Sequence, residues 1–209
     1  MSSFIVAIDG PAGSGKSSVS KAVAKALGFA YLDTGAGYRS YALWGHKQGL
    51  IGFYGPFPYE ISTDPDDVTI LLNGSDVSEE IRTQAVASLV SDYAQLSEVR
   101  KLQRQDAQRR IADCPKSGIV VEGRDITTVV APDAQVRILL TASEGARALR
   151  RGLEQSESPA SLAARDAIDS KVAEFLSAPE GVTLIDTTDL DFEQSVQAVL
   201  DEIARIRGE

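Results

Sequence analysis

Short apolar runs alternate along the chain with longer stretches in which apolar residues recur every three or four positions. The short runs lie at 4–8, 29–32, 118–121, 136–140 and 182–185. Rich in apolar residues, they read as strands, and those at 29–32 and 118–121 as buried ones. Between them, Val19, Val23, Ala26 and Leu27 mark a helix over 18–27, closed by Gly28. A second helix runs from Gly37-Tyr38-Arg39 to about Lys47. Residues 79–112 are mostly helical, with a stripe through Ile81, Val86, Leu89, Val90, Tyr93, Leu96, Val99 and Leu102 that slips near Leu96-Ser97. Helices over 142–154, 161–176 and 192–206 complete the pattern. Strands that alternate with helices predict an α/β fold: three α/β/α layers, a parallel central sheet and right-handed connections.

The periodicity fails between 50 and 80, where Gly52, Gly55, Pro56, Pro58 and Pro65 interrupt it. Within that stretch 67–72 reads as a strand, Asn73-Gly74 as a hairpin turn and 75–77 as a return strand. Such a hairpin is too small to stand alone, so the expectation is one domain over 1–209 carrying a small β-containing insertion at 50–80. Residues 155–160 are polar and flexible by composition.

Composition narrows the partners. The formal net charge is −9, which disfavours nucleic acid or an anionic membrane as a general partner. No stretch approaches the length of a membrane-spanning helix. One cysteine, Cys114, excludes an internal disulfide, and one histidine, His46, leaves no zinc-type ligand set. The expectation is a cytoplasmic protein whose anionic ligands meet local arginines.

The candidate chemistry begins at the first strand. Gly10-Pro11-Ala12-Gly13-Ser14-Gly15-Lys16-Ser17-Ser18 follows it and leads into a helix, the context in which G-x-x-x-x-G-K-[ST] marks a phosphate-binding loop. Glycines let successive N–H groups face inward, and the helix N-terminus adds to the anion site. Lys16 supplies a mobile positive charge, and Ser17 offers a hydroxyl to Mg²⁺. The second strand delivers Asp33-Thr34 and then Arg39 to the strand ends, where open α/β sheets bind ligands. Arg100 and Arg104 share a helix face. The strand at 118–121 ends in Glu122-Gly123-Arg124-Asp125. An acid there resembles one that helps hold Mg²⁺, so Ser17, Glu122 and Asp33 are the candidate metal residues. Arg147, Arg150 and Arg151 lie along the next helix, and Arg165 and Asp169 stand at i, i+4 further on. A phosphate loop with dispersed arginines and no nucleophile–base set points to phosphoryl transfer to an anionic acceptor.

Several stretches resemble the bacterial cytidylate kinase family of nucleoside monophosphate kinases. They are 7–16, Leu32-Asp33-Thr34-Gly35-Ala36-Gly37-Tyr38-Arg39, Asp76-Val77-Ser78-Glu79-Glu80-Ile81-Arg82, 122–130 and Asp186-Thr187-Thr188. The resemblance implies a P-loop core, a monophosphate-binding insertion and a mobile helical lid at about 150–172. It implies ATP as donor, Mg²⁺, CMP or dCMP as acceptor, and a monomer. It places Thr34, Arg39 and Arg124 on the acceptor phosphate, and Ser91, Arg100 and Asp125 on cytosine. Arg165 and Asp169 fall near the acceptor ribose, and Arg150 beside ATP. Lys16, Arg39, Arg124 and Arg165 form the implied catalytic set. Departures are Val172 after Lys171 where the family pattern has an arginine, a shortened 155–160 segment, Glu122 in place of aspartate, and the glycine–proline-rich 52–58. Two alternatives stay open at this point: a nucleotide-dependent switch with little kinase activity, and a kinase for another small acceptor such as UMP. No Asn-Lys-x-Asp guanine-reading stretch supports the former.

Overall fold

The computed structural model of the chain describes residues 3–153 and 177–209. Five parallel strands form the central sheet in the order β2-β6-β1-β7-β8. They are β1 (Phe4–Asp9), β2 (Ala30–Asp33), β6 (Gly118–Gly123), β7 (Val136–Thr141) and β8 (Thr183–Asp186). On β1, Val6 and Ile8 face one core with Val19 and Val23 of α1 (Lys16–Leu27) and Val199 and Ile203 of α6 (Phe192–Arg207). Ala7 faces the other, with Leu32, Val121, Ala36 and Tyr41 of α2 (Thr34–Gln48), Val90 of α3 (Gln84–Ala94) and Val99 of α4 (Ser97–Ala112). Burial of both sheet faces explains why these strands are apolar on consecutive positions. The remaining helix of the described residues, α5 (Glu144–Leu153), follows β7.

The expected layers and parallel sheet are present, and the differences are local. α2 starts at Thr34 rather than Gly37, because the Asp33 carboxylate caps it by accepting from the Ala36 amide at 3.0 Å. The 79–112 stretch divides into a 3-10 turn (Glu80–Arg82), α3 and α4, with Leu96 extended between the helices at φ −75°, ψ 122°. That break accounts for the slip in the apolar stripe.

The 50–80 region holds a separate three-stranded antiparallel sheet rather than a hairpin alone. β3 (Tyr59–Ile61) pairs with β4 (Ile70–Leu72), and β4 with β5 (Ser75–Asp76). β4 begins later than expected because the Asp67 carboxylate accepts from the Thr69 hydroxyl at 2.8 Å, turning the chain before the ladder starts. The 52–58 segment packs by aromatic contact. Tyr54 stacks on Tyr41 of α2 with ring centres 4.2 Å apart, and Phe57 and Tyr93 meet Tyr41 edge-on. The Tyr54 amide donates to the Tyr41 hydroxyl at 3.0 Å, and the Tyr93 hydroxyl donates to the Leu50 carbonyl at 2.9 Å. The helix expected at 161–176, the polar 155–160 segment and most of the 150–172 lid lie outside the described residues.

Candidate active site

Parallel register brings three acids to one level of the sheet. Asp33 of β2 stands opposite Glu122 of β6, which stands opposite Ile8, the neighbour of Asp9 on β1. The next residues after β1 form the glycine loop. Gly13 (φ 77°) and Gly15 (φ 87°), the latter capping α1, take the left-handed backbone that a side chain disfavours. Gly10 is glycine for a different reason: a Cβ there would stand 2.2 Å from the Leu140 backbone carbonyl oxygen. α5 closes over the loop from outside, with Arg147 Nη1 donating to the Ala12 carbonyl at 3.1 Å. The Ser14 hydroxyl is buried with no hydrogen-bond partner among the described residues.

Lys16 and Ser17 both reach Glu122. The Ser17 hydroxyl donates to Glu122 Oε1 at 2.7 Å, and Lys16 Nζ lies 3.7 Å from Oε2. Tyr31 adds a third contact, its hydroxyl donating to Oε1 at 3.3 Å. Burial pushes the Glu122 carboxyl up, and Asp33 nearby adds to that, more than Lys16 and Ser17 draw it down. Burial also lowers the Lys16 ammonium to about 8, helped by Arg124 and Arg39 and opposed by Glu122 and Asp33. Asp33 moves the other way. Burial raises it, but Arg39, Arg82 and Lys16 together hold it below the usual carboxylate value. Arg82 Nη2 lies 3.3 Å from Asp33 Oδ2, an unforeseen contact from the 76–82 stretch.

A lowered Lys16 has a measurable consequence. The phosphates of a bound triphosphate favour the charged ammonium, so binding raises this pKa toward its ordinary value. Triphosphate binding is expected to take up protons at pH 8 through Lys16, and fewer through it as the pH falls and the free ammonium is already charged. Calorimetry in buffers of different ionisation enthalpy checks this, and equal apparent heats at pH 8 would contradict it.

A cavity of about 260 Å³ has walls that include Thr34, Tyr38, Arg100, Gln103, Arg104 and Asp125. Arg100 Nη2 donates to Asp125 Oδ2 at 2.7 Å. Burial raises the Asp125 carboxyl more than Arg100 and Arg104 lower it. The Thr34 hydroxyl donates to the Glu122 carbonyl at 2.8 Å, which joins the cavity to the carboxylate cluster. Arg39 and Arg124 stand on the loop side: both act on Lys16, and Arg124 Nη1 donates to the Gly10 carbonyl.

Most of the expected residues therefore converge. Ser91 does not line this cavity. It lies on α3 with its carbonyl accepting from Gln95 Nε2 at 3.0 Å, and Gln95 and Ser97 line the wall instead, because the chain breaks between α3 and α4. Arg150 grips backbone rather than open space, donating to the Thr187 carbonyl at 2.6 Å, the Thr187 hydroxyl at 3.0 Å and the Ser14 carbonyl at 3.4 Å. It ties α5 and the loop after β8 to the phosphate loop. Arg165 and Asp169, with Lys171 and Val172, lie outside the described residues. Sequence reasoning missed Tyr31, Arg82 and Gln103. The last shares the face of Arg100 at i+3, which was the available signal; its amide donates to the Gly37 carbonyl at 3.3 Å.

A glycine loop whose lysine meets a buried acid at the carboxyl end of a parallel sheet, joined through Thr34 to an arginine-lined cavity, defines a P-loop phosphotransferase. The family model described as cytidylate kinase matches residues 6–205. Curated relatives agree. A cytidylate kinase of Streptomyces avermitilis is 45% identical, covering 98% of this chain and 94% of that protein. Another, of Streptomyces griseus, is 46% identical, covering 95% and 92%. Among solved structures, a gluconokinase from Sinorhizobium meliloti superimposes with a TM-score of 0.57 at 15% identity, covering 98% of this chain and 93% of that one, a likeness of fold. The chain belongs to the cytidylate kinase family and is a kinase.

Proposed function

We propose that the protein transfers the γ-phosphoryl group of ATP to the phosphate of CMP or dCMP. The observation that carries this reading is the Arg100–Asp125 pair, held at 2.7 Å in the wall of a cavity that Thr34 joins to Glu122, the carboxylate contacted by Lys16 and Ser17. Cytosine presents an amino donor, which a carboxylate accepts, and ring acceptors, which a guanidinium satisfies. Uracil presents a carbonyl where cytosine has the amino group and is repelled by Asp125.

The reaction follows from placement. Loop amides, Lys16 and the Ser14 hydroxyl hold the donor phosphates, while Arg39, Arg124 and Thr34 hold the acceptor phosphate. An acceptor oxygen attacks the γ-phosphorus as the bond to the bridging oxygen breaks, and the surrounding cations neutralise charge on the moving group. The Ser17 hydroxyl beside two buried carboxylates, Glu122 and Asp33, is an all-oxygen set of the kind that suits Mg²⁺. Ser17, Glu122 and Asp33 would hold Mg²⁺ there, and the ion would supply positive charge to offset that of the donor phosphates. We read Arg165 and Asp169 as acceptor contacts, 50–80 as the acceptor-binding insertion and about 150–172 as the lid. We read the enzyme as a monomer, as the family resemblance implies. Among the described residues no helix is long and apolar enough to cross a membrane, and we place the enzyme in the cytoplasm with its free nucleotides.

Coupled ADP-release assays across CMP, dCMP, UMP and AMP test the reading. CMP and dCMP are expected to be the preferred acceptors, and stimulation by none of the four would overturn it. Asp125→Asn is expected to narrow the CMP-over-UMP ratio of kcat/KM about 10-fold, because the amide no longer repels the uracil carbonyl. An unchanged ratio would remove Asp125 from base reading.

A further inference from the structure

Asp9 ends β1 at 1% exposure, and no step above uses it. Its carboxylate accepts three hydrogen bonds from one short segment: the Ile126 amide at 2.9 Å, the Thr127 amide at 2.8 Å and the Thr127 hydroxyl at 2.7 Å. An apolar side chain could fill this interior position without the desolvation that a carboxylate suffers. What the acid adds is a directional grip on residues 126 and 127.

That segment needs one. Residues Ile126–Val130 make a single π-helical turn, a conformation rarely stable by itself and often found beside functional residues. Asp125 precedes the turn at φ −139°, ψ 29° and does not cap it with its side chain, which points instead to Arg100. On the other side of Asp125, Arg124 donates to the carbonyl of Gly10, the residue that follows Asp9. Two consecutive residues at the mouth of the phosphate loop therefore hold the chain on both sides of Asp125.

We propose that Asp9 is a positioning residue for acceptor selection, fixing the Asp125 carboxylate relative to the phosphate loop through the Ile126–Thr127 turn. The acceptor is gripped at two ends, phosphate and base, and Asp9 sets the register between them. The inference rests on Asp125 as the base reader.

The test compares Asp9→Asn, Thr127→Val and Asp125→Asn by kcat/KM for CMP and UMP, KM for ATP and thermal midpoint. In Asp9→Asn the amide keeps one acceptor and turns a donor toward the Thr127 donors. Its CMP-over-UMP ratio is expected to narrow about 10-fold through a raised CMP KM, with ATP KM within about twofold. Thr127→Val removes one of the three bonds and is expected to narrow the ratio about threefold. Lower thermal midpoints with intact ratios in both variants would assign Asp9 to fold stability alone and overturn the proposal. If Asp9→Asn does not fold, the Thr127→Val ratio decides by the same criterion. An unchanged ratio in Asp125→Asn would remove the base-reading role and this inference with it. Narrowing in Asp125→Asn but in neither of the others would overturn this inference alone.

Discussion

Lys16→Ala is expected to slow phosphoryl transfer about a thousandfold, roughly 4 kcal/mol in the barrier. The ammonium sits in the loop with only 14% of its side chain exposed, 3.7 Å from Glu122. It is already desolvated before substrate arrives, so little reorganisation is needed when charge builds on the donor phosphates. Alanine leaves the loop backbone and its amides in place, so triphosphate affinity is expected to fall far less than turnover. Removing the ammonium also takes away the larger of the two cationic influences on Glu122, leaving Arg39, which pushes that carboxyl further toward the neutral form. Single-turnover measurements with CMP, beside equilibrium binding of a non-hydrolysable ATP analogue, separate the two effects. Near-normal turnover would withdraw Lys16 from the chemistry.

The second large effect is expected at Arg124. Arg124→Ala should lower kcat/KM for the acceptor by about 100- to 1000-fold while KM for ATP moves only a few-fold. The guanidinium is half-buried, pinned to the Gly10 carbonyl and adjacent to Asp125. It therefore lies between the phosphate loop and the cavity wall that carries Asp125. Lysine at this position keeps the charge but not the planar fork, and is expected to recover only part of the loss. A matched rise in both Michaelis constants would instead indicate that Arg124 braces the loop as a whole.

Much of this arrangement was legible in the residue order. Consecutive apolar positions at 4–8 and 118–121 announced strands, the second of them buried, and the G-x-x-x-x-G-K-[ST] spacing placed the phosphate loop at the end of the first. Residues whose roles depend on a neighbour distant in sequence were not legible. Asp9 holds Thr127 across 118 positions, and Tyr31 meets Glu122 across 91. Only the register of parallel strands brings those pairs together, and local periodicity does not carry register between strands. β3 escaped notice because it is only three residues long and follows directly on Pro56 and Pro58, which read as loop. The family pattern that offered Ser91 also did not show that Gln95 and Ser97, at the break between the two helices, line the cavity wall.

The stacked rings of Tyr41 and Tyr54 bear on how this enzyme could change over time. Tyr41 is fully buried, yet its covering comes from a segment rich in glycine and proline that in other respects resembles a dispensable surface loop. Trimming 52–58 would open a helix of the catalytic core to water, two turns beyond the residue that caps it beside Lys16. Drift in that segment is therefore tied to drift in α2, and a graft of one without the other carries half a joint.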